Sequence, residues 1–317
     1  MLALQPAEGQ PAAGRGGDGA HQEPPPARSG AVHPARDAED PGSLGALPRA
    51  LRDQHDRRRG LSTASAIDLA GRNALVTGVS RRAGIGYAIT RRLLDAGAAV
   101  FIHGWTPHDA TQPWGAEPGG TEAIADELGV PFLEADFADA EAPERAVAAA
   151  VDALGPLDIL VVNHARSGHG RLEELTAPEI DAFLHENVRA SLLLVRAFAV
   201  RHDDSRDGGR VILMTSGQHL APMAREVAYA VSKGALQQAT LTIADELADR
   251  RITVNTVNPG PTDTGWGLAD WDPTEPMPFG RWGEPDDAAR LISFLCSDEG
   301  RWITGQTINS EGGFRRR

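Results

Sequence analysis

A tyrosine and a lysine stand four residues apart in the stretch "YAVSK", at Tyr229 and Lys233. On a helix, positions four apart share a face, so the phenol and the ammonium project side by side. A free phenol holds its proton until about pH 10. A neighbouring ammonium favours the phenolate and brings proton transfer toward neutral pH. Lys233 is the single lysine in a chain of 317 residues, and every other cationic position is arginine. Arginine would supply the charge, but its planar fork cannot replace a compact three-donor head in a narrow slot, and it does not release a proton. The plainer alternative, an ordinary surface pair on a helix, leaves that compositional exception as coincidence.

A second group of residues could hold phosphate. The stretch "TGVSRRAGIGYAI" follows the first apolar run of the ordered sequence. Gly78 allows a tight turn, and Gly84 and Gly86 permit close backbone approach. A helix starting there presents free N–H groups and its positive dipole end to an anion. Arg81 and Arg82 sit inside the turn, either as solvated loop cations or as partners of a phosphate. The next strand pattern ends "FIHGWTPHD", with Gly104, Trp105 and Thr106 where an acid for the adenine-ribose hydroxyls would fall. The missing acid and the two arginines favour NADP(H) over NAD(H).

These residues need a scaffold, and the sequence describes one. Residues 1–60 hold eight prolines, nine glycines and no aromatic residue, with eight arginines against eight acids. Such a segment buries too little apolar surface to offset chain entropy, so 1–66 is expected to be a disordered tail. From Asp68 onward, strand patterns such as "NALVTG", "AAVFIHG", "LDILVVN", "GRVILMTS" and "ITVNTVNPG" alternate with helical ones. One long helix is expected over 176–200, opened by Thr176 as N-cap with Glu179 three residues on; a second carries Tyr229 and Lys233. The alternation predicts an α/β fold, a Rossmann-type doubly wound parallel sheet of about seven strands flanked by helices, as a single domain over 67–317. A net charge of −13 argues against nucleic-acid or anionic-membrane partners. No run reaches the roughly 18 apolar residues of a membrane span. The one cysteine, Cys296, lies in an apolar helical stretch and reads as a buried structural thiol in a cytoplasmic protein. No metal site is expected.

With these features in order, the chain resembles the short-chain dehydrogenase/reductase family over roughly residues 68–314, most closely its 3-oxoacyl-(acyl carrier protein)-reductase-like branch. The family's Y-x-x-x-K is Tyr229 to Lys233. Its serine, thirteen residues before the tyrosine, is Ser216 of "MTSG". Its asparagine on the preceding long helix is Asn187 of "HENVRAS". "TVNPGPTDT" and "ITGQTINSEGG" match further family stretches. The resemblance implies Tyr229 as general acid or base, Lys233 lowering its pKa and holding the nicotinamide ribose, Ser216 bonding the substrate oxygen, and Asn187 holding a water that links Lys233 to solvent. It also implies a cofactor cradle of Gly78, Ser80, Arg81, Arg82, Gly84, Ile85, Gly86, Asp136, Phe137, Asn163, Pro259, Gly260, Thr262 and Thr264. A small-molecule carbonyl or alcohol substrate and a homo-oligomer, a tetramer or dimer built on the two long helices, follow from the same likeness. A dinucleotide-binding regulator, or a member whose catalysis has decayed, is the alternative; it has no need of the tyrosine, lysine, serine and asparagine together.

The chain departs from the family pattern in three places. Five residues, "VSRRA", separate Gly78 from "GIG" where the family usually has three. That longer turn resembles the enoyl reductase branch, but that branch spaces its tyrosine and lysine more widely, so the tight pair here argues for carbonyl or alcohol chemistry. The family's "NNAG" is "NHAR", Asn163 to Arg166. Arg166 reads first as a side chain turned to solvent; its alternative is an anion or carbonyl contact in a substrate pocket, together with His164 or His169. The stretch 105–120 is long for a strand-to-helix link, and Trp105 and Trp114 could cap an adenine or anchor the loop. Residues 265–280 fit a short lid, with Trp266, Trp271, Met277 and Phe279 offering apolar contact.

Overall fold

The structure, a computed structural model, describes residues 67–265 and 277–314. The expected disordered tail and the lid residues Trp266 and Trp271 lie outside the described residues. In chain order the strands are β1 (Asn73–Thr77), β2 (Ala99–Gly104), β3 (Phe132–Glu134), β4 (Ile159–Val162), β5 (Arg210–Met214), β6 (Thr253–Asn258) and β7 (Thr307–Asn309). The helices are α1 (Ile85–Asp95), α2 (Thr106–Ala110), α3 (Gly120–Leu128), α4 (Ala142–Leu154), α5 (Ala177–Phe183), α6 (Ala190–Arg201), α7 (Val227–Leu247) and α8 (Pro285–Cys296).

All seven strands pair in parallel in the order β3-β2-β1-β4-β5-β6-β7. The near-continuous apolar runs exist because both faces of the sheet are covered. Along β1 the side chains alternate between two cores: Leu75 joins α4, α6 and α7 through Val147, Leu194 and Leu247. Ala74 and Val76 join α1 and α8 through Ile89, Leu93 and Ile292. Burial of each of the larger of these side chains, the Val, Leu and Ile residues, stabilises the fold by about 1.5–3 kcal/mol relative to exposure. The chain builds outward from β1 through β2 to β3, then returns to lay β4 on the other side of β1. Beyond the strand ends at such a reversal a crevice opens, and ligands of open α/β sheets bind there.

The helix expected over 176–200 is interrupted. Thr176 does cap it, its Oγ1 accepting from Glu179 N at 3.4 Å, but α5 passes through a π-helical turn, Leu184–Arg189, before α6 begins. Single-turn π insertions of this kind recur at functional sites, and this one contains Asn187. The 105–120 stretch is not plain loop either, since it holds α2. Cys296 is buried among α8 side chains, and burial pushes its thiol up to about 12, as an inert structural thiol requires. No described helix is long and apolar enough to cross a membrane.

Candidate active site

A cavity of about 750 Å³ is lined by the segments that follow β1, β2, β3, β4, β5 and β6. At its phosphate end, Gly78 leaves β1 with φ +73°, a conformation that disfavours any residue with a Cβ. A Cβ there would also lie 2.7 Å from the His164 backbone. Asn163 fixes the turn by donating from Nδ2 to the carbonyls of Thr77 and Gly78, at 3.1 and 3.0 Å. Ser80, Arg81, Gly84 and Ile85 border the cavity, so the N-terminus of α1 faces it. Gly86 does not line the cavity. A Cβ at Gly86 would meet Asn163 Nδ2 at 2.8 Å, so this glycine serves the packing of α1 against the strand ends.

The two arginines of the turn part company. Arg81 borders the cavity, donating from Nη1 to Thr264 O at 2.8 Å, with Nε 3.4 Å from Asp109 Oδ1 and its Cζ 4.8 Å from the Trp114 ring centre. Burial holds its guanidinium below the ordinary value, with Asp109 and Glu117 acting the other way. Arg82, expected beside it, does not line the cavity. It pairs with Glu127 at 2.6 Å and Glu117 at 2.7 Å on the surface, because those carboxylates fold back over the turn.

The acid found missing after β2 is present in space. The short helix α2 carries Asp109 to the cavity wall, where it is 5% exposed. Trp114 Nε1 donates to its Oδ1 at 3.0 Å, while Oδ2 is buried with no partner among the described residues. Trp114 therefore anchors the 105–120 segment as well as facing Arg81. His103 stacks on Phe137 with ring centres 3.9 Å apart and donates from Nε2 to Ala135 O at 2.9 Å. Its Nδ1 is a second buried acceptor with no partner among the described residues. Burial lowers the His103 pKa to about 4, so the ring is neutral. Asp136 and Phe137 line the same end, and Pro259, Gly260, Thr262 and Thr264 close the opposite wall. Thr262 is tied back by a 3.2 Å bond from Oγ1 to Gly260 O.

At the other end, Tyr229 and Ser216 both line the cavity. Tyr229 is in the first turn of α7, and Ser216 follows β5; the Ser216 hydroxyl makes no hydrogen bond among the described residues. Lys233, one turn along α7, is 2% exposed, and its Nζ lies 5.7 Å from the Tyr229 ring centre. The ammonium donates to Met214 O at 3.2 Å, and Thr215 Oγ1 donates to Lys233 O at 3.0 Å, so α7 is pinned to the end of β5. Burial lowers the Lys233 pKa to about 8. Lys233 and Asn187 are buried and do not line the cavity themselves. The Asn187 side chain is fully engaged: Nδ2 donates to Arg166 O and Ser232 Oγ, both at 2.9 Å, and Oδ1 accepts from Arg166 N at 2.6 Å. Ser232 Oγ donates in turn to Tyr229 O at 2.7 Å. The π turn thus ties the loop after β4 to the start of α7.

Arg166 is on the cavity wall, and its Nη1 donates to Glu186 Oε1 at 2.9 Å. His164, considered as its helper, is instead committed to the fold. Its Nδ1 bonds Thr77 Oγ1 at 2.9 Å, its Nε2 donates to Glu186 O at 3.0 Å, and burial takes its pKa down to about 3. His169 does line the cavity. Phe279 is exposed and neither it nor Met277 lines the cavity, whereas Trp282 and Phe314, which carry no motif, do. Asp109, His103 and Glu186 were also missed by the sequence reading. Only the wide spacing of Asp109 from the end of β2 hid it, whereas the other two lie in apolar or mixed patterns with no chemical signal.

The family described as "Enoyl-(Acyl carrier protein) reductase" matches residues 78–315. An oxidoreductase of Bacillus subtilis strain 168, YjdA, itself uncharacterized, is 42% identical over 77% of this chain and 96% of its own length. A short-chain dehydrogenase from Burkholderia cenocepacia J2315, solved in complex with NADP, is 36% identical with a TM-score of 0.66, covering 77% of this chain and 98% of its own. A blue fluorescent protein from a metagenomic library, solved in complex with NADPH, is 33% identical with a TM-score of 0.69, covering 78% of this chain and 100% of its own.

Proposed function

The chain belongs to the short-chain dehydrogenase/reductase family of oxidoreductases, and from that premise we propose that it interconverts a carbonyl compound and its alcohol with NADP(H), Tyr229 acting as general acid and base. The observation that carries this reading is the convergence of the Tyr229 and Ser216 side chains on one cavity, with the Lys233 ammonium buried beside the phenol. The nicotinamide supplies or accepts the hydride when bound. Tyr229 gives its proton to the carbonyl oxygen in reduction and takes it back in oxidation. The Ser216 hydroxyl donates to the same oxygen and stabilises its developing charge. Lys233 stabilises the phenolate that results. Asn187 acts through its neighbours, holding the backbone of Arg166 and, through Ser232, the start of α7. The short Tyr229–Lys233 spacing supports carbonyl chemistry over enoyl chemistry.

The residues fit a dinucleotide. Asp109 Oδ2 and His103 Nδ1, two buried acceptors without partners among the described residues, call for donor groups such as ribose hydroxyls or an adenine amine. Gly78, Ser80, Gly84, Ile85 and Asn163 would hold the pyrophosphate, Asp136 and Phe137 the adenine, and Pro259, Gly260, Thr262 and Thr264 the nicotinamide side. Preference for the 2′-phosphate rests on Arg81 and on the NADP(H) found with the solved relatives, and Asp109 opposes it. Exposed Leu192 and Val200 on α6 and Val231 and Leu241 on α7 support assembly through those helices.

The deciding experiment is Tyr229→Phe assayed against a panel of carbonyl compounds. Turnover should fall by about 10²- to 10⁴-fold while NADPH binding, read by nucleotide fluorescence, persists. Retained turnover overturns the assignment.

A further inference from the structure

Arg166 sits where the family pattern has glycine, and its surroundings are built rather than incidental. Its backbone is clamped at both polar atoms by the Asn187 side chain, at 2.6 and 2.9 Å. Its guanidinium is held on one edge by Glu186, and its Cζ lies 5.7 Å from the Phe183 ring centre. The same Phe183 ring lies 6.4 Å from the Tyr229 ring. Arg166 and Tyr229 therefore bear on one aromatic ring and line one cavity. Nε and Nη2 of Arg166 make no hydrogen bond among the described residues. We propose that Arg166 selects the substrate by donating to a second, uncharged oxygen of the carbonyl compound, so that a dicarbonyl compound or keto ester is preferred over a simple ketone.

The chemistry of the wall narrows the class. A guanidinium has donors only, so its partner must be an acceptor. A carboxylate would be the usual bidentate partner, but Glu186 already neutralises Arg166. The pair offers an anionic substrate no net positive charge, whereas a neutral carbonyl oxygen needs only a donor. Glu186 also holds the guanidinium in place, so few rotamers are lost when the oxygen arrives.

This inference rests on the carbonyl chemistry proposed for Tyr229, and its test separates the two. Binding is measured in the Tyr229→Phe protein saturated with NADPH, where the outcome does not depend on which group moves the proton. Ethyl 3-oxobutanoate should bind at least about tenfold tighter than 2-hexanone, the factor expected of one hydrogen bond to a charged donor. It should also bind tighter than the 3-oxobutanoate anion. Arg166→Met should bring the ester and the ketone to equal affinity, with NADPH binding confirming that the variant is folded. Equal binding of ester and ketone with Arg166 present, tighter binding of the anion, or failure of all three to bind overturns the proposal. Turnover surviving Tyr229→Phe overturns the earlier assignment instead.

Discussion

The Lys233 ammonium sits 5.7 Å from the centre of the Tyr229 ring and is anchored by a 3.2 Å bond to Met214 O. The other tyrosine, Tyr87, lies beside a carboxylate. Its hydroxyl donates to Glu127 Oε1 at 2.6 Å, and that bond, with burial next, raises its pKa.

Phenolate absorbance near 295 nm can read this directly, because only two tyrosines contribute. In Tyr229→Phe the remaining phenol, Tyr87, should ionise above the ordinary value of about 10, and the further replacement Glu127→Gln should bring it back toward that value. A Tyr87 midpoint at or below the ordinary value would contradict the bond to Glu127.

Lys233 itself makes a prediction about stability. Burial lowers its pKa from 10.5 to about 8, so the fold disfavours the charged form. Between those values the unfolded chain binds a proton that the folded chain does not, and stability rises with pH across that window. Below pH 8 the cost is fully present, about 3 kcal/mol by linkage. Lys233→Met removes the term, offset by the lost bond to Met214 O, worth about 1 kcal/mol. Urea denaturation of the apoprotein should show Lys233→Met more stable than the parent at pH 7, with the gap closing by pH 10.5, while activity is lost. A variant less stable at pH 7 would mean that the ammonium is not desolvated.

Much of this arrangement was legible in the sequence, for identifiable reasons. Parallel strands covered on both faces read as unbroken apolar runs, so β1, β4 and β5 stood out. The Tyr229–Lys233 spacing is a property of any helix, so their adjacency needed no tertiary information. What depended on tertiary folding was not legible. The π turn arises where Asn187 reaches back to Arg166, 21 residues earlier, and leaves no trace in a 3.6-residue period. Arg82 looked like a phosphate ligand until Glu117 and Glu127, 35 and 45 residues away, closed over it. Asp109 was invisible as an acid of the cavity wall because α2, not the strand end, brings it there.

Arg81 and Asp109 should pull cofactor choice in opposite directions. Arg81→Ala removes the cation at the phosphate end of the cavity and should weaken NADPH more than NADH, by about tenfold in the ratio of dissociation constants. Asp109→Asn removes the opposing charge and should shift the same ratio toward NADPH. Arg82→Ala, with its guanidinium occupied by two carboxylates on the surface, should leave the ratio within about twofold. Equal losses of both cofactors in Arg81→Ala would refute the NADP(H) preference.

Asn187 should act through the polypeptide it holds. Its side chain satisfies the Arg166 amide and carbonyl and donates to the Ser232 hydroxyl, so Asn187→Ala leaves the two part-buried Arg166 backbone groups without that partner at about 1–3 kcal/mol each. For a domain of this size each kcal/mol lowers Tm by about 2–4 °C, so a drop on the order of 10 °C is expected. If the residue works by placing Arg166, its loss should raise KM for a keto ester more than for a simple ketone. If it works by relaying protons to Lys233, kcat should instead fall equally for both, with a displaced pH profile. The engagement of every Asn187 side-chain polar atom by protein groups points to the first outcome. Steady-state kinetics on the two substrates across pH 6–10, alongside thermal melts, distinguishes them.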